Sequence, residues 1–290
     1  MYQDMPMRRI LDVFERLLYG KNALGRDIAG SKKTVAGIRR RDFFSHLEKF
    51  YHPGNIVLVV AGRFSSRKVR RLAKKYFFDL KEGPSKRSKK LRIVQKKSRL
   101  ELVYKKTDQA HFCLGVPGVS CTHKDRFVVS VIASILGYSR TSRIYRRIRE
   151  ERGWAYYVQT VPEFYQETGA VYTRAGISLD KVEPSVGLIL KEYQRLKSER
   201  VDEEELKRAK DYIRGRFILA LEDSCNVASR YAIQAVVEKR IRTPQETLKL
   251  IDQVTSEDII RVAKRLFKSE KMNLALIGPF KSKERFKKLL

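Results

Sequence analysis

The sequence lacks the features of secreted, membrane-spanning and disulfide-stabilised proteins. It has no run of about 18 apolar residues, and its first ten residues contain no apolar core of the kind that a signal peptide requires. Its three cysteines, Cys113, Cys121 and Cys225, form no Cys-x-x-Cys pair and would leave one thiol over in any disulfide pairing. We therefore expect a cytoplasmic protein with reduced thiols and no membrane span.

Histidine is also scarce. The four histidines are His46, His52, His111 and His123, and no two of them lie four residues apart on one predicted helix. A helical zinc site commonly takes two histidines from one helix face, one turn apart. The sequence therefore predicts no metal site within this chain.

Acidic residues are too few to balance the basic ones, since 63 Lys and Arg stand against 33 Asp and Glu and give a net charge of +30. Such a surplus attracts nucleic acid or another polyanion, so nucleic-acid binding is a serious alternative function. The densest basic run, Lys86 to Arg99, contains no aromatic residue on which bases could stack. We interpret it as a solvated linker, and the other cations as the polar faces of amphipathic helices.

A repeat is present at an offset of 216 residues, where RDFFSHLEKFYHPGNIVLVVAG from Arg41 aligns without a gap with EDIIRVAKRLFKSEKMNLALIG from Glu257. Both copies predict a helix, a turn and a strand that ends at glycine. The apolar positions recur at helical spacing in each copy: Phe43, His46, Leu47, Phe50 and Tyr51, then Ile259, Val262, Ala263, Leu266 and Phe267. Residues 56–61 and 272–277 are the two predicted strands.

The repeat implies two similar units of unequal completeness. The second unit runs from about residue 99 to Gly278, a normal size for an α/β domain. The first unit has only 62 residues in this chain, so about 120 residues of it have no counterpart here. We expect a partial first domain and a complete second one.

Within the second unit, strands are predicted at 100–104, 110–116, 154–161 and 169–177, and helices at 124–136 and 143–150. A further helix carries the apolar stripe Val182, Val186, Ile189, Tyr193 and Leu196. Helix-capping residues are predicted at Asp180, Asp202 and Thr243. These elements indicate an α+β domain.

Three segments carry a resemblance to a known family: LLYGKNALGRDIAG from Leu17, YHPGNIVLVVAG from Tyr51 and ILGYSRTSRIYRRIREERGWAYYV from Ile135. They resemble the pitrilysin/insulinase-type zinc metallopeptidases, which include mitochondrial processing peptidase. The resemblance covers nearly the whole chain and implies paired homologous α/β sandwich domains of the clamshell type, the first one incomplete. This chain would be the C-terminal, non-zinc domain plus the end of the N-terminal domain.

The resemblance also implies two substrate-binding residues, because the family places an arginine and a tyrosine seven residues apart, and Arg149 and Tyr156 stand at that spacing. A phenol can donate to a carbonyl oxygen that gains negative charge, and a guanidinium can hold peptide carbonyl or carboxylate groups. Judged without the family, Arg149 would be a surface charge and Tyr156 a core residue of a strand. Tyr157 is a weaker candidate.

The catalytic His-x-x-Glu-His helix of the family is absent from this sequence. Zinc is therefore expected only on a partner or on a missing upstream segment, and this chain alone has no catalytic residues. The glycine-rich stretch of some family members is reduced here to Gly137. That loss and the positive charge argue against binding of basic presequences and favour acidic or neutral peptides.

Three hypotheses follow. In the first, the chain is a non-catalytic subunit or fragment that binds a peptide substrate and completes the active site of a zinc-bearing subunit, or acts as a homodimer. In the second, it is a non-enzymatic basic binding or assembly protein for an acidic partner or nucleic acid. In the third, an ordinary zinc helix is encoded upstream of Met1.

The predicted domains are a partial N-terminal peptidase-like domain at 1–80, a basic linker at 81–97 and a complete C-terminal domain at 98–290. The sequence leaves open the natural substrate, the partner and the oligomeric state.

Overall fold

The structure is a computed structural model that describes residues 5–83, 91 and 93–290. The strands are β1 (Arg99–Tyr104), β2 (Gln109–Pro117), β3 (Ala155–Phe164), β4 (Gly169–Ser178) and β5 (Asn273–Gly278). The helices are α1 (Pro6–Tyr19), α2 (Lys32–Ala36), α3 (Arg40–Phe50), α4 (Ser66–Phe77), α5 (Arg126–Ala133), α6 (Arg143–Tyr145), α7 (Val182–Ser198), α8 (Glu203–Ala220), α9 (Ser224–Ile233), α10 (Pro244–Asp252), α11 (Ser256–Leu266) and α12 (Glu284–Lys287).

Contacts divide the chain into two compact units. The sheet unit comprises the described residues of 5–28, 91–214 and 247–290, and it contains all five strands. The helical unit comprises 29–83 and 215–246, and no strand forms among its described residues.

The sheet has the order β1-β5-β2-β4-β3. β1 runs parallel to β5, with Leu100 opposite Leu274, and every other neighbouring pair is antiparallel. β1 and β3 are therefore the edge strands. Side chains of a strand alternate between the two faces, so that in β2 Phe112 and Leu114 enter one apolar cluster and Cys113 enters another.

One face of the sheet is covered by α5, α7 and α11. Each of these helices presents a stripe at three- and four-residue spacing, and in α7 the buried members include the predicted Val182, Val186, Ile189, Tyr193 and Leu196. The ring of Tyr193 stacks on Phe267 with 4.2 Å between centroids, directly after the end of α11. These packed helices form the larger part of the apolar core.

The other face is covered by α1. Ile10, Phe14 and Leu18 are fully buried at four-residue spacing, and the ring centroid of Phe14 lies 5.3 Å from that of Tyr172. The hydroxyl of Tyr165 donates to Glu15 at 2.9 Å, and this hydrogen bond links the polar side of α1 to the sheet. Helix α1 thus packs on the sheet of the second predicted domain, although the sequence places this helix in the first.

The predicted domain limits at 80 and 98 stay predictions, because the compact units follow contacts rather than the repeat. Residues 84–90 and 92 of the predicted linker lie outside the described residues. The predicted strand at 56–61 has extended backbone at Ile56 but forms no ladder with any described strand. Within the described part of the chain, no helix combines the length and the apolar character that a membrane span needs.

Candidate functional site

The segment that carries Arg149 is a short helix and the turn that follows it, and two buried isoleucines anchor this segment in the core. α6 continues into a wider turn at Arg146–Glu150, in which the amide of Glu151 donates to the carbonyl of Arg146, five residues back, at 2.9 Å. Ile144 and Ile148, four residues apart, are fully buried and anchor this turn in the core. We call residues 143–150 the arginine turn.

Gly153 joins the arginine turn to β3. Its φ of +64° is in the left-handed region, which glycine adopts without the steric cost that a Cβ brings. Its amide donates to the carbonyl of Arg149 at 3.1 Å, and the next amide, of Trp154, donates to Ile148 at 3.0 Å. The chain therefore reverses at Gly153 and enters β3 directly beside the arginine turn.

Arg149 and Tyr156 are brought together by this reversal. Arg149 is half-buried, and its guanidinium donates to the carbonyl of Ala155 at 3.1 Å, one residue before Tyr156. The register of β3 against β4 shifts between Ala155 and Tyr157, so Tyr156 sits in a bulge and leaves 60% of its surface exposed. The reading of Tyr156 as a buried strand residue is wrong.

Tyr157 has a different environment from Tyr156. Its hydroxyl lies 3.0 Å from Nδ1 of His111, and the two rings stack with centroids 5.9 Å apart. Burial raises the pKa of the Tyr157 phenol and lowers the pKa of His111. The pair is thus a neutral hydrogen-bonded contact between β2 and β3, whereas the exposed phenol is that of Tyr156.

A buried carboxylate holds the arginine turn on α7. The side chain of Glu192 has no exposed surface, and it pairs with Arg147 at 2.8 Å and with Arg195 at 3.3 Å. Arg143 lies 3.8 Å from the same carboxylate and also makes two hydrogen bonds to Glu205 of α8, at 2.7 and 2.5 Å. Two acidic side chains from two helices therefore fix the position of the turn that presents Arg149.

The sequence reasoning missed Glu192 and Glu205. A signal for Glu192 was present, because it falls at helical spacing within the buried stripe of α7, three residues after Ile189 and next to Tyr193. Burial of a carboxylate at such a position is costly unless a cation pairs with it, so it predicts arginine partners. The bulge at Tyr156 had no comparable signal.

Gly137, the one glycine that the resemblance leaves of the family's glycine-rich stretch, has a packing role in the structure. A Cβ placed on Gly137 would lie 2.4 Å from the hydroxyl oxygen of Thr160 and 2.8 Å from its amide nitrogen. The chain after α5 therefore approaches β3 too closely for a side chain.

The side chains that the structure describes do not form a site that fits a zinc ion. All four histidines and all three cysteines are described, and no group of three His, Cys, Asp or Glu side chains within the described residues is placed to hold a metal. His46 packs against Phe50, with 4.7 Å between ring centroids, and Nδ1 of His111 is hydrogen-bonded to the hydroxyl of Tyr157. No chemical step is therefore assigned to a metal bound by these side chains.

Comparison with known families decides the classification. The family model described as "Peptidase M16 inactive domain" matches residues 37–213, which is more than half of the chain and includes both Arg149 and Tyr156. The chain belongs to the M16 peptidase family. The resemblance to pitrilysin/insulinase-type peptidases is confirmed, as is its assignment to the non-zinc, C-terminal kind of domain.

Relatives and solved structures agree with this family. A protein of Streptomyces coelicolor named as an uncharacterized zinc protease is 28% identical over 290 residues, a match that covers 98% of this chain and 63% of that protein. This M16 chain therefore spans less than two thirds of the length of that relative.

Two crystal structures are similar in fold. A protease from Helicobacter pylori has a TM-score of 0.86 at 21% identity, covering 96% of this chain and 68% of that one. A peptidase M16 inactive domain from Pseudomonas fluorescens has a TM-score of 0.86 at 18% identity, covering 96% and 67%. The predicted fold class, α+β with domains of the metallopeptidase clamshell type, is confirmed.

Proposed function

We propose that this chain is a peptide-binding M16 lobe that holds a substrate with Arg149 and Tyr156 and completes the active site of a zinc-bearing polypeptide. The observation that carries the proposal is the placement of Arg149 on the Ala155 carbonyl beside an exposed Tyr156. The guanidinium thus contacts the residue directly before the exposed phenol, at the start of an edge strand.

The edge position of β3 supports binding of an extended peptide. β3 pairs with β4 on one side, and no described strand pairs with its other side. An extended peptide can add to such an edge through backbone hydrogen bonds, which makes recognition depend little on the peptide sequence. The net charge of +30 favours acidic or neutral peptides over basic ones.

Arg149 and Tyr156 would make different contacts with the peptide. The guanidinium of Arg149 has several N–H donors, of which one donates to the carbonyl of Ala155, so the others can bind a carbonyl or carboxylate of the peptide. The Tyr156 hydroxyl can donate to the oxygen of a peptide carbonyl on which negative charge grows. Glu192 and Glu205 keep the arginine turn in place and do not touch the peptide.

Peptide binding by the chain alone tests the two residues. Fluorescence anisotropy of a labelled, unstructured acidic peptide should show binding without cleavage. Arg149→Ala should weaken binding about tenfold or more, and Tyr156→Phe about two- to tenfold, as expected for a charged and a neutral hydrogen bond. The matched controls, Arg152→Ala and Tyr104→Phe, should bind as the unsubstituted chain does, since Tyr104 on the opposite edge strand is also 60% exposed.

Hydrolysis tests the dependence on a partner. A quenched fluorogenic peptide should be cleaved only when a zinc-bearing M16 polypeptide that lacks its own second lobe is added. Chelator-sensitive cleavage by the purified chain alone would show that this proposal is wrong.

A second candidate function is binding of a polyanion, and α4 is the observation that favours it. Residues 49–78 contain eight Lys or Arg and no Asp or Glu, and six of these cations lie on α4 with exposed side chains. None of the six forms an ion pair within the described residues. Salt-dependent retention on DNA together with no peptide binding would favour this function.

A further inference from the structure

A cavity of about 200 Å³ lies in the sheet unit, beside the second half of β3. The described residues that line it are Ser130 of α5, Tyr138 in the turn that follows α5, Ile213 of α8, and Val161 and Pro162 of β3. Each of them keeps part of its surface exposed. The cavity therefore opens to solvent at the edge strand along which the proposed peptide lies.

The chain after α5 forms one wall of the cavity, because Gly137 lets it come close to β3. A Cβ on Gly137 would meet the hydroxyl oxygen of Thr160 at 2.4 Å. The next residue, Tyr138, packs against Tyr212 of α8 with 5.9 Å between centroids and 82° between the ring planes. Aromatic pairs favour this edge-to-face arrangement, so the wall that Tyr138 forms is fixed by its packing.

The cavity suits an uncharged side chain. Of the described residues that line it, none carries a charge, and the hydroxyl of Ser130 donates to a backbone carbonyl one helical turn back at 3.1 Å. The charges next to it in sequence are engaged elsewhere. Glu163 accepts a hydrogen bond from Tyr172 at 2.7 Å, and Arg214 donates to an aspartate of α10 at 2.6 Å. A charged side chain in the cavity would lose its hydration without gaining a partner.

Pro162 explains why a peptide would use a side chain here. Proline has no N–H, so a peptide strand added to β3 receives no backbone hydrogen bond from this residue. Side chains of a strand alternate between its faces, and Val161 packs in the apolar cluster beneath α1, so Pro162 lies on the opposite face, toward α5. A peptide residue opposite Pro162 therefore directs its own side chain toward the cavity.

We infer that this cavity is a specificity pocket that takes one large aliphatic side chain, such as leucine, from a peptide bound along β3. Its volume is below the range of about 300–1,000 Å³ that encloses a drug-sized ligand, so it holds a single side chain. Pockets for individual side chains give selectivity where an extended peptide adds to a sheet edge.

The length of β3 sets the spacing along the peptide. From Tyr156 to Pro162 a regular strand rises by about 20 Å, at about 3.3 Å per residue, and the bulge at Tyr156 shortens this distance. The leucine should therefore lie about five or six residues from the peptide residue that contacts Arg149 and Tyr156.

This inference rests on the proposed function, since it names the class of peptide that the proposed site selects. Fluorescence anisotropy with the full 290-residue chain tests it. Labelled peptides carry one aspartate for Arg149, one leucine at a spacing that varies from about three to eight residues, and small neutral residues elsewhere. Affinity should be highest at a spacing of about five or six, about tenfold or more above a peptide with alanine in place of the leucine. Lysine in that place should give no such gain.

Two variants alter the cavity without touching Arg149 or Tyr156. Ser130→Leu fills the cavity and should remove the preference for leucine over alanine, and Ile213→Ala removes a wall and should reduce that preference. Ser198→Leu is the matched control, because the Ser198 hydroxyl also donates to a helix carbonyl four residues back and lies outside the cavity. It should keep the full preference. Urea unfolding establishes that each variant is folded.

Nuclear magnetic resonance of the Ile213 methyl groups reports on the cavity without a peptide strand. N-acetyl-leucinamide should shift these resonances until they saturate, whereas the corresponding aspartate amide should not. Ser130→Leu should abolish the shift.

The two proposals fail separately. Peptide binding that Arg149→Ala weakens, but that leucine strengthens at no spacing, would overturn this inference and leave the proposed function standing. A saturable shift at Ile213 without any peptide binding would contradict the proposed function and support an apolar side-chain pocket. A folded Ser130→Leu chain that keeps the leucine preference would overturn this inference, and so would the absence of both the preference and the shift.

Discussion

Glu192 places a carboxylate in the interior of the sheet unit, where three arginines surround it. Glu192→Gln keeps the shape of the side chain and removes its charge. Breaking a fully buried ion pair costs about 3–5 kcal/mol. The side chains of Arg147 and Arg195 are 31% and 29% exposed and can recover some hydration. We therefore expect the free energy of unfolding to fall by about 2–3 kcal/mol, below the range for a fully buried pair.

Urea unfolding measures this loss. Trp154 is the only tryptophan of the chain and lies between the arginine turn and β3, so its fluorescence reports on the region that Glu192 supports. Glu199→Gln is the matched control, because Glu199 also pairs with Arg195 but its side chain is 48% exposed. Its unfolding midpoint should stay close to that of the unsubstituted chain.

A Glu192→Gln midpoint equal to that of Glu199→Gln would refute the reasoning, since the buried carboxylate would then contribute no more than a solvated one. A second readout separates position from stability. At temperatures where both variants are folded, Glu192→Gln should also weaken peptide binding, because the arginine turn that presents Arg149 loses its anchor, and Glu199→Gln should not.

Three further predictions use the same unfolding assay. Gly153→Ala should lower the free energy of unfolding by about 1–2 kcal/mol, because φ is +64° there, whereas Gly215→Ala in the interior of α8 should leave it unchanged or raise it. The pKa of His111 is lowered by burial, so the folded chain should lose stability as pH falls below about 6.5, and His111→Asn should reduce that loss. Burial alone would raise the pKa of Asp125, but the hydrogen bonds and charge of Arg261, together with the charge of Arg265, lower it. Asp125→Asn should therefore be less stable than the unsubstituted chain at neutral pH, and this difference should shrink as pH falls below about 3.8. An unchanged pH dependence in either variant would contradict its assignment.

Local patterns predicted the local structure well where one helix or turn determines its own ends. The offset of 216 between the repeats holds for α3 and α11, which differ completely in their surroundings. The caps at Asp202 and Thr243 are confirmed by bonds to the amides of Glu205 and Glu246. These features depend on a few neighbouring residues, so the sequence contains the information.

The cap predicted at Asp180 is wrong. Its carboxylate pairs with Lys181 at 2.8 Å, and a 3₁₀ turn at Leu179–Lys181 precedes α7, whose first residue has no side-chain cap. The spacing that suggests a capping box also fits an exposed ion pair beside a helix start. Sequence spacing alone does not distinguish the two.

Contacts between distant segments were not predictable from the sequence. The stripe Ile10, Phe14 and Leu18 specifies an amphipathic helix but not the sheet face that it covers. In the candidate site, the family resemblance supplied the spacing of Arg149 and Tyr156. Their proximity depends on the left-handed backbone of Gly153 and on a bulge in β3, and the pattern of apolar residues predicts neither feature. Whether these two side chains bind peptide stays a prediction.

The central claim is that this chain contributes to a zinc peptidase site without holding the zinc. The direct measurement is the metal content of the purified 290-residue chain, by mass spectrometry after dialysis against buffer that contains trace zinc. We expect far less than one zinc per chain, and no change when His111 or His123 is replaced. One tightly held zinc per chain, lost when its own histidines or carboxylates are replaced, would contradict the account.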